Sequence, residues 1–112
     1  MSQEVYSHMR NVAVDVARAG RYNSGVDYAE RKRLEAAFER VERVSDYVRT
    51  RSLRDARVDL CIEIAELSLK YNHMDYREQE ERSKVYSSLS DALDLLADMD
   101  IVRDEIHAEA SI

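Results

Sequence analysis

The sequence is organised around RYNSGVDYAE at residues 21–30, a stretch that returns in similar form as KYNHMDYRE at residues 70–78. Each copy is a Tyr-Asn turn followed by Asp-Tyr-x-Glu and a long segment with helical periodicity. The echo continues downstream at a spacing of 48 residues and upstream at a spacing of 49. The matched positions are Phe38 with Tyr86, Val41 with Leu89, Val44 with Ala92, Asp46 with Asp94, Val48 with Leu96, Met9 with Val58, Val12 with Cys61 and Val16 with Ala65. The repeat predicts one helical hairpin that is used twice.

The composition is typical of a single all-α domain. The 112 residues include two glycines and no proline, with 45% apolar and 36% charged residues, so little supplies the turns that many short strands need. We expect one domain, residues 1–112, with hairpin repeats at 3–50 and 52–108. The predicted fold is an antiparallel four-helix bundle that is oligomeric.

Composition also bears on where the protein works. The N-terminus lacks an apolar signal segment, and no run approaches the ~20 apolar residues of a membrane span. The single cysteine, Cys61, cannot form an internal disulfide, which suits a reducing compartment. We therefore expect a cytoplasmic protein.

Capping residues and Gly20 predict the helix ends. Gly20 is expected to end helix 1 because glycine adopts the left-handed conformation easily. Asp27 with Glu30, and Asp75 with Glu78, have capping-box spacing, and Ser52 is the candidate cap of helix 3. The expected helices run from about Gln3 to Ala19, from just after Asp27, from about Leu53 to Lys70, and from after the Asp75–Glu78 box to about Ala108.

Residues 50–52 contain neither glycine nor proline, so the boundary between helices 2 and 3 has two interpretations. A short break is favoured, since connections of a few residues are normal in bundles. In the alternative, helices 2 and 3 form one continuous rod, and the hairpins close by exchange between chains.

Apolar stripes at helical spacing identify the expected core. They are Val5, Met9, Val12 and Val16 in helix 1; Leu34, Ala37, Val41, Val44 and Val48 in helix 2, with Phe38 and Tyr47 beside them; and Val85, Leu89, Ala92, Leu96 and Met99 in helix 4, widened by Tyr86, Leu93, Leu95 and Val102.

Helix 3 carries two apolar stripes on opposite sides, whereas a bundle helix needs only one. The stripes are Leu60, Ile64, Leu67 and Tyr71 on one side and Val58, Ile62, Ala65 and Leu69 on the other. We expect the second stripe to be a self-association surface. The alternative is one broad face that is buried within a single chain.

Charge is distributed unevenly along the chain. Residues 31–58 carry nine basic and five acidic side chains, whereas residues 59–112 carry five basic and fourteen acidic ones. A basic patch of Arg49, Arg51, Arg54 and Arg57 gathers at the junction of helices 2 and 3, and guanidinium groups grip phosphate and carboxylate well. We expect this patch to contact a protein partner or, as a second candidate, nucleic acid. The sequence pI near 5.1 is unlike that of a dedicated nucleic-acid binder.

Four carboxylates form E-x-x-E and D-x-x-D pairs on successive helices: Glu63, Glu66, Asp91 and Asp94. The arrangement resembles that of the all-α nucleotide pyrophosphohydrolases of the MazG type. The resemblance implies a magnesium-dependent nucleoside triphosphate pyrophosphohydrolase, in which these four residues would hold the cation. Elsewhere, Asp104-x-x-His107 has no matching partner motif, and His8 and His73 have no companion at ligand spacing, so we expect no metal or other cofactor.

A second resemblance covers residues 51–102. Arg51 is followed six positions later by Arg57-Val58, then by an apolar helix, a polar turn and SLSDALDLLADMDIV at residues 88–102. This pattern is similar to that of a family of small four-helix-bundle proteins. The family includes the proteins encoded in ribosomal RNA intervening sequences and the accessory variability proteins of diversity-generating retroelements. The resemblance implies a ring-like oligomer and, for the retroelement type, an accessory that binds a reverse transcriptase and nucleic acid.

The sequence therefore favours a non-enzymatic, self-associating bundle that acts as an adaptor, accessory factor or inhibitor by binding a macromolecular partner. The pyrophosphohydrolase is the alternative.

Overall fold

The computed structural model describes residues 2–21 and 28–111, and this part of the chain contains four α-helices. They are α1 (Gln3–Arg21), α2 (Tyr28–Val48), α3 (Leu53–His73) and α4 (Gln79–Ala110). α1 packs along α2, and α3 packs along α4; the two resulting hairpins meet mainly through α2 and α4. The predicted all-α architecture of two helical hairpins is confirmed.

A core of mostly small apolar side chains joins the two hairpins. It forms mainly where the first half of α1, the second half of α2, the first half of α3 and the second half of α4 come together. Its buried members are Val5, Val12, Val41, Val44, Val48, Leu53, Ala56, Leu60, Ala92, Met99 and Val102. Met9, Val16, Ala37 and Phe38 pack against this cluster while partly exposed. The stripes predicted for the first two helices are therefore the ones that face the core.

The break between α2 and α3 depends on two residues. Arg49 follows the last residue of α2 with a φ of 48°, a left-handed conformation that helices commonly adopt just past their ends. Ser52 then caps α3, its Oγ accepting a hydrogen bond from the amide of Asp55 at 3.1 Å. The predicted break and the predicted serine cap are confirmed, and the continuous rod is excluded.

Three other local predictions are wrong. Gly20 does not end α1, which continues to Arg21. The Asp75–Glu78 capping box does not form: Asp75 accepts a hydrogen bond from the Arg77 amide in a turn, and Glu78 takes the cap position without a side-chain bond. Tyr86 and Leu93 are exposed rather than part of the core. Asp27, half of the other capping box, lies outside the described residues.

The chain has more surface than its mass requires. Its accessible area is 8026 Å², whereas a compact monomer of 13.0 kDa exposes about 6,300 Å². Its radius of gyration is 17.5 Å, compared with about 13 Å for a compact domain of this length. The excess arises because the two hairpins share only part of their length, so each keeps helical surface that the other does not cover. None of the described helices combines the length and hydropathy that crossing a membrane requires.

The Ser52 cap gives a direct test of the corner. Replacing Ser52 with Ala removes the acceptor of the Asp55 amide, and we expect the free energy of unfolding to fall by about 1 kcal/mol. Ser87→Ala is the matched control, because Ser87 is an exposed residue in the interior of α4, where alanine is the better helix former. Urea titrations followed by circular dichroism measure both. Equal stability of the two variants would contradict the assigned role of Ser52.

Candidate functional site

The α3–α4 hairpin has a register that two contacts define. The Arg57 Nε donates to Asp100 Oδ1 at 2.7 Å, and the rings of Tyr71 and Tyr86 lie with their centroids 5.8 Å apart. The two contacts connect opposite ends of α3 to α4, so the helices run side by side in opposite directions between them. Side chains on the remaining faces either enter the core or point to solvent.

Both helices of this hairpin carry exposed apolar side chains, and we call these residues together the outer face. Its members are Val58, Ile62, Ala65 and Leu69 on α3 and Tyr86, Leu93 and Ile101 on α4. On α3 these residues lie about half a turn away from the buried Ala56 and Leu60, and on α4 they lie at least a third of a turn away from the buried Met99. Both helices therefore direct these side chains away from the core.

The outer face contains the predicted self-association stripe. Val58, Ile62 and Leu69 expose 52%, 53% and 60% of their surface, and Ala65 is also exposed. The alternative interpretation, in which a single chain buries this stripe, is therefore wrong. The opposite stripe of α3 is the one that its own chain covers, with Leu60 buried and Ile64, Leu67 and Tyr71 half-buried.

The four arginines of the predicted basic patch make different contacts in the structure. Arg51 donates to Asp59 Oδ2 and to the Tyr47 carbonyl, both at 2.8 Å, and its guanidinium lies over the Tyr47 ring. Arg57 is held by Asp100 across the hairpin. These two arginines stabilise the corner and the α3–α4 pair.

The other two arginines of the patch have exposed guanidinium groups. Arg49 donates to the carbonyl of Asp46 at 3.1 Å, a bond that leaves its charge unneutralised. Arg54 is exposed on the first turn of α3 and has no hydrogen-bond or ion-pair partner among the described residues. Contact with a partner remains a prediction for this patch, and Arg49 and Arg54 are the members with charge to offer it.

The carboxylates of the alternative cation site do not come together. Within the described residues, which include all four, no three His, Cys, Asp or Glu side chains are grouped as metal ligands. Asp100 faces Arg57 on α3, and Asp91 lies nine residues earlier, which is two and a half helical turns. Asp91 therefore points away from α3 and from Glu63 and Glu66. Arg43, bound to the neighbouring Asp98 at 3.0 Å, places a cation beside Asp91 and Asp94 instead.

The sequence interpretation missed a polar cluster that joins the hairpins. His8 is 4% exposed, and its two ring nitrogens each lie 2.7 Å from a carboxylate oxygen, Nδ1 from Glu109 and Nε2 from Glu105. Arg40 donates to the other oxygen of Glu105 at 3.2 Å. The cluster thus joins α1 to α4 through His8 and α2 to α4 through Arg40.

Two features of the sequence could have indicated this cluster. His8 lies on the apolar stripe between Val5 and Val12, where a polar residue needs a partner. Glu105 and Glu109 are four residues apart and so share one face of α4. Their pairing with His8 joins residues that are about a hundred positions apart, and local periodicity carries no information about such a distance.

Comparisons with protein-family models, with curated proteins and with solved structures found no match to this chain. The two family resemblances of the sequence therefore stay predictions.

Asp100 gives the outer edge of the hairpin a defined pH dependence. The hydrogen bond from Arg57 holds the pKa of the Asp100 carboxyl below its ordinary value, and partial burial opposes this effect. A depressed carboxyl pKa stabilises the fold above the unfolded-state pKa, and that stability is lost as the pH falls through the folded-state pKa. We expect Asp100→Asn to be less stable than the parent at neutral pH, with the difference narrowing in acid.

Asp104→Asn is the control for this comparison, because the Asp104 side chain is 73% exposed and lies 3.5 Å from Arg103 alone. Thermal unfolding at a series of pH values measures all three proteins. A stability difference for Asp100→Asn that stayed constant down to strongly acidic pH would contradict the assigned linkage.

The His8 cluster gives a second test. His8→Ala leaves Glu109 without its partner and opens space in the core, so we expect a loss of at least about 2 kcal/mol of unfolding free energy. His73→Ala, at the exposed last residue of α3, is the matched control and should change stability little. Denaturant titration distinguishes the two. A tolerated His8→Ala substitution would show that the cluster does not hold α1 against α4.

Proposed function

We propose that this protein is a non-enzymatic, self-associating helical-bundle adaptor or accessory protein that presents its surfaces to a macromolecular partner. The outer face of the α3–α4 hairpin is the observation that carries this proposal. It includes six large apolar side chains that each expose between 42% and 60% of their surface, and extensive apolar exposure is typical of surfaces that bind another protein. A second copy of the chain is the occupant that we propose.

The surface area of the chain supports a second copy. The accessible area exceeds that of a compact monomer by about 1,700 Å², and a stable interface takes about 800 Å² from each partner. One interface of ordinary size would therefore use half of the excess. Six of the ten large apolar side chains that are exposed on the described residues belong to the outer face, and this supports an interface there.

The internal repeat supports the same conclusion. Met9 and Val16 pack against the core, whereas their repeat counterparts Val58 and Ala65 are exposed on α3. α1 and α3 are equivalent helices of the repeat, but they pack against their own chain through different faces. The stripe that is covered in α1 is therefore exposed to solvent in α3. Its positions follow a 4-3-4 spacing, which is the spacing of a helix–helix seam.

Charged groups outside the outer face would contact the macromolecular partner. The positive charges of Arg49 and Arg54 are not neutralised by the described part of the chain. The two residues are five positions apart in the sequence, at the corner between α2 and α3. An acidic protein surface is the partner that suits two guanidinium groups on a chain with a net charge of −6, and nucleic acid is the second candidate.

Charge placed on the outer face tests the self-association. In the double variant Ile62→Glu and Leu69→Glu, each new carboxylate would have to enter the interface, so we expect dissociation to monomers across micromolar concentrations. Neither residue contributes to the core, and the helical content and melting of the chain should be retained. Light scattering coupled to size-exclusion chromatography measures the mass.

Val14→Glu is the matched control, because Val14 is an apolar residue of α1 with 49% exposure that lies outside the outer face. It should associate as the parent does. A parent chain that is monomeric at all accessible concentrations would refute the proposal. A double variant that associates as strongly as the parent would remove the interface from the outer face.

A further inference from the structure

A cavity of about 400 Å³ lies where the start of α1, the start of α3 and the end of α4 meet. Its apolar lining residues, which we call the floor, are Leu53, Val58, Met99 and Ile106. Leu53 and Met99 belong to the buried core, so the cavity borders the core. Its volume is within the range of about 300–1,000 Å³ of small-molecule sites, which are also mostly apolar.

The rim of the cavity is basic. Arg54, Arg57, Arg103 and His107 line it, and Glu4 is the single acidic residue among the described lining residues. The first turn of α3, which carries Arg54, adds the positive end of a helix dipole. The sign of charge at this rim is thus opposite to that of the chain as a whole, whose net charge is −6.

The ion pairs around the rim identify the group that is available to a ligand. Arg57 is held by Asp100, and Arg103 lies 3.5 Å from both Asp100 and Asp104. Arg54 has no such partner among the described residues, although it lines the same cavity. The Arg54 guanidinium therefore lines an apolar cavity without an ion-pair partner among the described residues. Arg57 and Arg103, by contrast, are both paired with Asp100.

We propose that this cavity binds a small amphipathic anion, with an alkyl chain over Met99 and Val58 and a carboxylate or phosphate head on Arg54. An apolar tail gains by displacing water from the floor, and the head gains charge-assisted hydrogen bonds from the planar guanidinium. A neutral alkyl ligand would lose the second contribution, and a small inorganic anion would lose the first. Both parts of the ligand therefore contribute to the affinity.

Isothermal titration calorimetry with defined probes tests the site. Decanoate and decyl phosphate carry the two head groups, decanol has the tail alone, and acetate and inorganic phosphate have the heads alone. We expect binding of at least one of the two amphipathic anions, with about tenfold or greater weakening for decanol and for the free heads. The stronger of decanoate and decyl phosphate identifies the preferred head chemistry.

The charge reversal Arg54→Glu should weaken binding of the anionic probe by about tenfold or more and leave that of decanol unchanged. Arg10→Glu is the matched control, since Arg10 is an exposed arginine of α1 outside the cavity, and it should bind as the parent does. Arg54 is exposed, so its reversal keeps the fold, which circular dichroism verifies.

Methyl NMR of the methionines reports the location independently of affinity. Met99 lines the cavity, whereas Met74 lies at the far end of α3, so the decanoate titration should shift the methyl signal of Met99 and not that of Met74. The same titration on the Ile62→Glu and Leu69→Glu variant separates ligand binding from self-association. Failure of both anions to bind at millimolar concentrations, an unmoved Met99 signal, or an affinity that Arg54→Glu does not change would each overturn the proposal.

Discussion

The structure depends on the burial of a small, valine-rich cluster at the one place where all four helices meet. Valine and alanine side chains let helices approach closely, but each buries little area, so the cluster contributes limited free energy for its number of residues. Longer polar side chains at its border fix how the hairpins are oriented. Arg40 connects α2 to Glu105, and His8 connects α1 to both Glu105 and Glu109. These pairs are partly buried, so removing one partner and leaving the other unmatched is costly.

Ion pairs between the helices also change how the uneven charge distribution along the sequence is interpreted. The sequence separates a basic region, residues 31–58, from an acidic one, residues 59–112, and this separation predicts surfaces for oppositely charged partners. In the structure the two regions face each other: Arg40 and Arg43 meet Asp98, and Arg57 meets Asp100. Part of the charge separation along the sequence is therefore neutralised by ion pairs within the chain. The surfaces left for other molecules are more apolar, and less charged, than the composition suggests.

Two local features were predictable because local physics determines them. The valine seam of α2 follows from helical periodicity, and the Ser52 cap follows from the orphan amides of any helix start. The Val58 stripe of α3 was expected on the surface and lies there, but spacing alone did not determine this choice, because both stripes have the same spacing and comparable hydrophobicity. Only the position of α4 decides it, and that position depends on pairs such as Arg57 with Asp100, 43 residues apart. The set of Glu63, Glu66, Asp91 and Asp94 failed for the same reason. Spacing along a helix says which residues share a face but not which neighbour that face meets.

Val58 shows why the two open surfaces of the second hairpin are not independent. It belongs to the outer face through the 4-3-4 stripe, and it also lines the basic-rimmed cavity. Its side chain is half exposed in the isolated chain, so a ligand tail and a second copy would both gain by covering it. If the protein binds both, each event changes the free energy of the other, and linkage requires the effect to be equal in both directions. A ligand that turns the Val58 side chain into the cavity removes apolar area from the interface between two copies. A ligand that leaves Val58 where it is adds its own tail to the apolar area of that interface. The sign of the coupling thus depends on a single side chain at the start of α3, where the corner, the cavity and the outer face meet.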